Sequence, residues 1–283
     1  MKDVSDVADA RDPADAGSLS HDPVAGPATG LAGPPTLDLS GAIATITLRR
    51  PALANRLELA DLEVLAAQVA QVDANPALRV LKLASTGKHF CSGFNVGQVG
   101  AAGATAGTRF EALADAIERS RVLTIAVIQG GVYGGACDLA LACDFRIGTA
   151  ACEMFVPAAR LGLHFYRGGL ERFVTRLGLN AAKRVLLAAE RFDAIGMREI
   201  GMLDQVVDPA SALAATGDAL AQNLAGMAPL AALGMKKHLN HIARGTLDAA
   251  DLARDIRQAD NSQDLQEGGL AWIEKRAPVF KGQ

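Results

Sequence analysis

The chain has 283 residues, half of them apolar, and a formal net charge of −3, which suits one catalytic-size domain with a large buried core. The small charge without any basic block argues against a nucleic-acid partner, whose phosphates reward clustered Lys and Arg. No apolar run approaches the roughly 20 residues a spanning helix needs, so no membrane partner is expected.

The segment from Met1 to Pro35 is rich in Asp, Ala, Pro, Gly and Ser with no periodic apolar face, and residues 1–35 are expected to form a solvated, disordered tail. Asp3, Asp6, Asp9, Asp12 and Asp15 leave no room for a secretory signal or an Arg-rich presequence. Ala42 to Leu48 alternates larger apolar with smaller residues and predicts a strand, closed by Arg49, Arg50 and Pro51. Leu57, Leu62, Leu65, Val69 and Val72 fall near helical spacing ahead of Asn75-Pro76, predicting an amphipathic helix. Val80–Ala84 and Thr124–Ile128 are short apolar runs expected as strands buried on both faces, with a flexible stretch from Gly97 to Gly107 between them. Alternating strands and helices imply an α/β layered core with parallel strands over residues 36–207. Residues 208–283 read as a helical extension, with helices expected over Ala210–Met227, Pro229–Arg244 and Asp248–Ala277. Cys91, Cys137, Cys143 and Cys152 form no Cys-x-x-Cys pair and sit among small or apolar residues, as reduced thiols of a cytoplasmic protein would.

The most informative segment is Gly130-Gly-Val-Tyr-Gly-Gly-Ala-Cys-Asp-Leu-Ala-Leu-Ala-Cys-Asp144, where glycines give way to an apolar run. It predicts a turn into a buried helix. Glycines let the backbone approach a ligand closely, and the first N–H groups of a helix point outward with the positive end of the dipole behind them. That arrangement suits a developing oxyanion, although glycine turns before helices also occur without any function.

Gly134-Gly135-Ala136-Cys137-Asp138 through Cys143-Asp144 resembles the signature of the enoyl-CoA hydratase/isomerase (crotonase) family. Lys88-His-Phe-Cys-Ser-Gly-Phe-Asn-Val96 is similar to that family's upstream oxyanion motif. Met202–Val207 resembles its Gly-Leu-Val strand, Lys236-Lys237 its helix lysine, and Glu267-Gly268 through Phe280 its C-terminal ending. The likeness covers about Leu37 to Phe280. It implies a crotonase-like layered ββα spiral core with a helical C-terminal extension that closes the pocket and builds a homotrimer or a dimer of trimers. It also implies an acyl-CoA thioester substrate whose enolate is held by the backbone N–H groups of Phe94 and Gly135. No separate cofactor is implied, because coenzyme A belongs to the substrate.

Family hydratases use two glutamates. Counting without gaps, the first position here is Asp138 and the second is Ala158, so ordinary two-glutamate hydration is in doubt. Asp138 remains a candidate base or acid, against a structural alternative in the first helical turn. In the loop Leu161–Leu170, Tyr166 and His164 are candidate proton-handling residues and Arg167 a candidate partner for an acidic acyl group; pocket-wall packing is the competing reading for each. Asn95, Gly134 and Ala158 complete the expected substrate-binding set. Decarboxylation, C–C hydrolysis and non-catalytic acyl-CoA binding stand as alternatives. His238 and His241 lie one helical turn apart without a third ligand nearby in sequence, and no metal is expected. Lys236, Lys237, Lys275 and Lys281 resemble family contacts to the CoA phosphates, though surface lysines are ordinarily solvated.

Overall fold

The computed structural model describes residues 32–95 and 104–283, with side chains in the second stretch described from Gly107 onward. The tail expected over residues 1–35 therefore lies outside the described residues as far as residue 31, whereas Gly33–Pro35 belong to the first strand, β1 (Gly33–Ser40). This strand runs antiparallel to β2 (Ile43–Arg49). From β2 onward the sheet is parallel, through β3 (Val80–Ser85), β4 (Leu123–Ile128), β6 (Phe145–Thr149) and β9 (Gln205–Val207), in the spatial order β1-β2-β3-β4-β6-β9. Burial along β2 alternates, with Ala44, Ile46 and Leu48 inward, while every residue of the central β4 is buried. A parallel strand covered on both faces reads as an uninterrupted apolar run for that reason.

One face of the sheet carries the larger core. There α1 (Leu59–Ala74) inserts Leu62, Leu65, Val69 and Val72, and α2 (Ala104–Arg119) and α3 (Gly135–Ala142) pack beside it. The opposite face is covered by α7 (Leu213–Ala225), whose Gly217 permits close approach to Val127 and Ile147. A second, three-stranded sheet joins β5 (Val132–Tyr133), β7 (Glu153–Phe155) and β8 (Phe192–Asp193). Between them and after them run α4 (Arg167–Leu177), α5 (Leu179–Leu186) and α6 (Ala194–Glu199).

Of the flexible stretch expected over Gly97–Gly107, residues 97–103 lie outside the described residues and the remainder opens α2. Small and polar residues at the start of α2 hide the helix, but Phe110, Leu113, Ala114 and Ile117 recur at helical spacing and are buried. The C-terminal extension comprises α7, α8 (Pro229–Ala243), α9 (Ala249–Asp260) and α10 (Gln263–Glu274). The single helix expected over Asp248–Ala277 is two, because Ser262 caps α10 by accepting from the Leu265 N–H. Among the described residues no helix is long and apolar enough to cross a membrane.

Candidate active site

Two backbone segments converge at the N-terminus of α3. The first, Cys91–Asn95, is tied on one edge to the β5 segment, with Phe90 N–H donating to Gly131 O at 2.9 Å and Tyr133 N–H to Cys91 O at 3.0 Å. On its other edge Leu57 N–H donates to Gly93 O at 2.9 Å and Asn95 N–H donates to Leu57 O at 3.0 Å. Peptide groups along an extended chain alternate in direction, so the Phe94 N–H between them points away from Leu57. The other segment is fixed by Gly134, which donates to Phe155 O at 2.8 Å and takes φ +56°, ψ −126°, a conformation that only glycine adopts at low cost. Gly135 is then the first residue of α3, and its N–H has no acceptor within the helix.

Glycine is required where the two segments meet. A methyl group on Gly93 (φ +87°) would lie 2.7 Å from Tyr133 O and 3.1 Å from Gly135 N. The strand carrying Phe94 therefore abuts the Gly135 amide with no side chain between. Among the described residues no backbone acceptor pairs with either N–H. Two fixed amides, one at the positive end of a helix dipole, form a receptor for a carbonyl oxygen gaining negative charge. An aromatic wall stands beside it. The Phe110 ring approaches within 2.7 Å of where a Gly135 Cβ would be, the Phe94 and Phe110 centroids are 6.3 Å apart, and Phe110 and Tyr166 are likewise 6.3 Å apart.

Three residues further along α3, Asp138 is completely buried. A carboxylate placed there needs compensation, because burying an unpaired charge is very costly. Arg172 supplies it from α4, donating from Nε to Oδ1 at 2.8 Å and from Nη2 to Oδ2 at 2.7 Å, a two-pronged ion pair. The Tyr166 hydroxyl donates to the same Oδ2 at 2.5 Å. Burial, with the Asp138 carboxylate beside it, pushes the Tyr166 phenol far above its ordinary range, so it carries its proton at any working pH. The third guanidinium nitrogen of Arg172 faces Asp115 at 2.7 Å and Glu118 at 3.3 Å on α2. Burial opposes the Arg172 charge, but Asp138, Asp115 and Glu118 outweigh it and hold the guanidinium protonated.

The structure thus brings Asp138 and Tyr166 together, and sets them one aromatic ring away from the amide pair. It places the other expected residues elsewhere. His164 is exposed, with Nδ1 2.6 Å from Phe165 O. Arg167 is 84% exposed and pairs with Glu171 at 2.7 Å. The Asn95 amide donates to both carboxylate oxygens of Glu58, at 3.2 and 2.9 Å, anchoring the Phe94 strand to the start of α1. Ala158 begins a short 3-10 turn (Ala158–Leu161) and packs on the main core. Lys236 is buried on Asp144 at 2.8 Å, and Lys237 lies between Asp251 and Asp255 at 2.9 and 2.6 Å. Helix packing also brings Asp251 and Asp255 to His238, with ligand atoms within 4.8 Å of one another; the Lys237 ammonium already bridges these two carboxylates. The buried Cys91 thiol, next to the Phe94 strand, is pushed up to about 12 by burial, which keeps it protonated.

Sequence reading missed Arg172 and Phe110. The only sign of Arg172 was the isolated carboxylate of Asp138 inside an apolar run, which demands a cation without saying which. A cleft of about 1080 Å³ between α2, α4 and α8 is walled by Asp115, Glu118, Glu171 and Arg244, on the far side of this ion network. The chemistry is better placed at the amide pair than in that cleft, because the amide pair offers fixed donors to a developing oxyanion, whereas the four groups named in the cleft are engaged with one another, Arg244 pairing with Glu118, Glu171 and Asp115.

A layered α/β core that presents two converging amides at a helix start offers a place where an oxygen gaining negative charge could be held. Residues 38–283 match the family model described as enoyl-CoA hydratase/isomerase, and the chain belongs to that family. The short-chain-enoyl-CoA hydratase of Clostridium acetobutylicum is 26% identical over 248 residues, covering 85% of this chain and 94% of that protein. The peroxisomal Δ(3,5)-Δ(2,4)-dienoyl-CoA isomerase of Arabidopsis thaliana is 27% identical over 256 residues, covering 83% and 91%. Among solved structures, an enoyl-CoA hydratase from Bacillus anthracis superposes with a TM-score of 0.81 at 27% identity, covering 89% of this chain and all of that one.

Proposed function

We propose that this protein is an acyl-CoA-processing enzyme of the hydratase/isomerase kind, which holds the thioester carbonyl on the Phe94 and Gly135 N–H groups and stabilises the enolate. The observation that carries this reading is the junction at Gly93, where the two amide segments abut with no side chain between them. Fixed donors bind the oxygen more tightly as charge builds, so they lower the barrier more than they tighten substrate binding.

At the acyl carbons the proton path runs through Tyr166 and Asp138. As the phenol oxygen accepts a proton from water or from a substrate carbon, the phenolic proton passes along the 2.5 Å hydrogen bond to Asp138. The reverse transfer returns it to the enolate. Ala158 contributes no proton and serves as pocket wall. Gly134 sets the amide geometry, Asn95 braces the Phe94 strand, and His164 and Arg167 stand outside the path. No cofactor beyond the substrate's own coenzyme A enters this scheme.

Turnover of enoyl-CoA and dienoyl-CoA thioesters, followed by mass spectrometry, tests the reading. Addition of water or movement of a double bond is expected. Binding of acyl-CoA without any product would sink it in favour of a non-catalytic binder, and loss of carbon dioxide from a malonyl-type thioester would favour decarboxylation. A homotrimer or dimer of trimers is supported by exposed Met235, Leu239 and Ile242 on α8 and by Trp272, which is 86% exposed on α10. Sedimentation at the mass of a single chain would refute that assembly.

A further inference from the structure

We infer that Arg172 is a positioning residue of the active site, which acts through Asp138 to fix the Tyr166 phenol beside the amide pair. The inference deepens the proposed function and rests on it for the identity of the reaction, but the geometry of the pair can be tested without any substrate.

Arg172 is fully buried, unusual for the side chain most resistant to losing its charge. It reaches Asp138 with two nitrogens, one on each carboxylate oxygen, and shares Oδ2 with the Tyr166 hydroxyl. Only one further donor, the Tyr166 hydroxyl, is bonded to that carboxylate among the described residues. The phenol direction is thus set by where Arg172 holds Oδ2. Tyr166 is also the residue just before α4, and Arg172 lies within that helix, so the same element carries the phenol and the clamp that aims it. Phe165 and Phe110 confine the ring at centroid distances of 5.6 and 6.3 Å, leaving the hydroxyl as the group that the carboxylate orients.

Arg172 is itself held in place. Asp115 and Glu118 face it from α2, and Arg244 from the end of α8 pairs with both of these acids and with Glu171 of α4. Arg176 adds a third cation to Glu118 at 3.3 Å, while Glu111 accepts from Gly168 N–H at 3.0 Å at the start of α4. A guanidinium matched to Asp138 by two parallel bonds cannot be replaced by a point charge without loss of direction.

The test compares Arg172→Lys, Arg172→Gln and Asp138→Asn in the full chain. Crystal structures read the arrangement without substrate: in wild type the Tyr166 hydroxyl is expected on Asp138 Oδ2, in Arg172→Lys and Arg172→Gln the carboxylate and the phenol with it are expected to leave that position, and in Asp138→Asn the phenol is expected to move while Arg172 stays. A phenol that keeps its wild-type place in folded Arg172→Gln or Arg172→Lys overturns the inference. If Arg172→Gln does not fold, Arg172→Lys keeps it falsifiable. With a turned-over acyl-CoA, Arg172→Lys should lower kcat about tenfold or more, within the range of lost acid–base positioning, while KM changes by less than about threefold. An unchanged kcat in Arg172→Lys, or an effect confined to KM, also overturns it. Absence of turnover in wild type would count against the proposed function alone, since the structural comparison decides the Arg172–Asp138–Tyr166 arrangement independently.

Discussion

The two halves of the proposed active site are built from different materials. The amide half consists of main chain, Phe94 on a strand pinned at both edges and Gly135 at the start of α3, and its precision comes from close backbone contact at Gly93. The proton half consists of side chains, Tyr166, Asp138 and Arg172, and its order comes from charge matching in the interior. The main-chain half tolerates varied side chains but no extra atom at the junction. The side-chain half tolerates no loss of a charged partner, because Asp138 and Arg172 are each buried on the strength of the other.

The comparison can be broken most severely at Arg172. Arg172→Met should cost about 3–5 kcal/mol of stability by leaving Asp138 buried and unpaired, and Arg172→Met/Asp138→Leu should recover most of it; urea unfolding measures both. A single variant as stable as wild type would show that the ion pair does not hold this region together. A smaller effect on folding but a large one on rate is expected from Gly93→Ala. Its methyl would press on Tyr133 O and Gly135 N, separating the two amides and lowering kcat by roughly 10²–10³-fold, the usual cost of losing one donor. Steady-state kinetics on a turned-over thioester checks this, and wild-type kcat in a folded Gly93→Ala would remove the amide pair from the mechanism. The smallest effect belongs to His164→Ala, expected to change kcat less than twofold and stability by under about 0.5 kcal/mol, as for other exposed positions. A tenfold fall in kcat would return His164 to the proton path.

These halves also differ in how far the sequence reveals them. Gly134-Gly135 followed by an apolar run carries one amide as a local pattern, because a positive φ or a close backbone approach demands glycine at a particular position, whereas Ser92-Gly93-Phe94 was found only through the family resemblance. The strands Val80–Ala84 and Thr124–Ile128 were legible for a similar reason, since full burial leaves an unbroken apolar run. Asp138 and Tyr166 were legible as chemistry but not as a pair. They stand 28 positions apart and meet only when α4 folds across α3. The same distance effect hid Asp251 and Asp255 from His238 and led Lys236 to be read as a phosphate contact, although it is buried on Asp144.

What the sequence by itself determined is local: the buried strands Val80–Ala84 and Thr124–Ile128 and the glycine turn that opens α3 at Gly135. Tertiary structure decided the state of the side chains that work with them. A carboxylate at position 138 is a base, an acid or an anchor according to what faces it, and α4 brings both Arg172 and Tyr166 onto Asp138. Backbone geometry follows from local sterics, whereas the behaviour of a buried charge follows from partners that the chain supplies from far along its length.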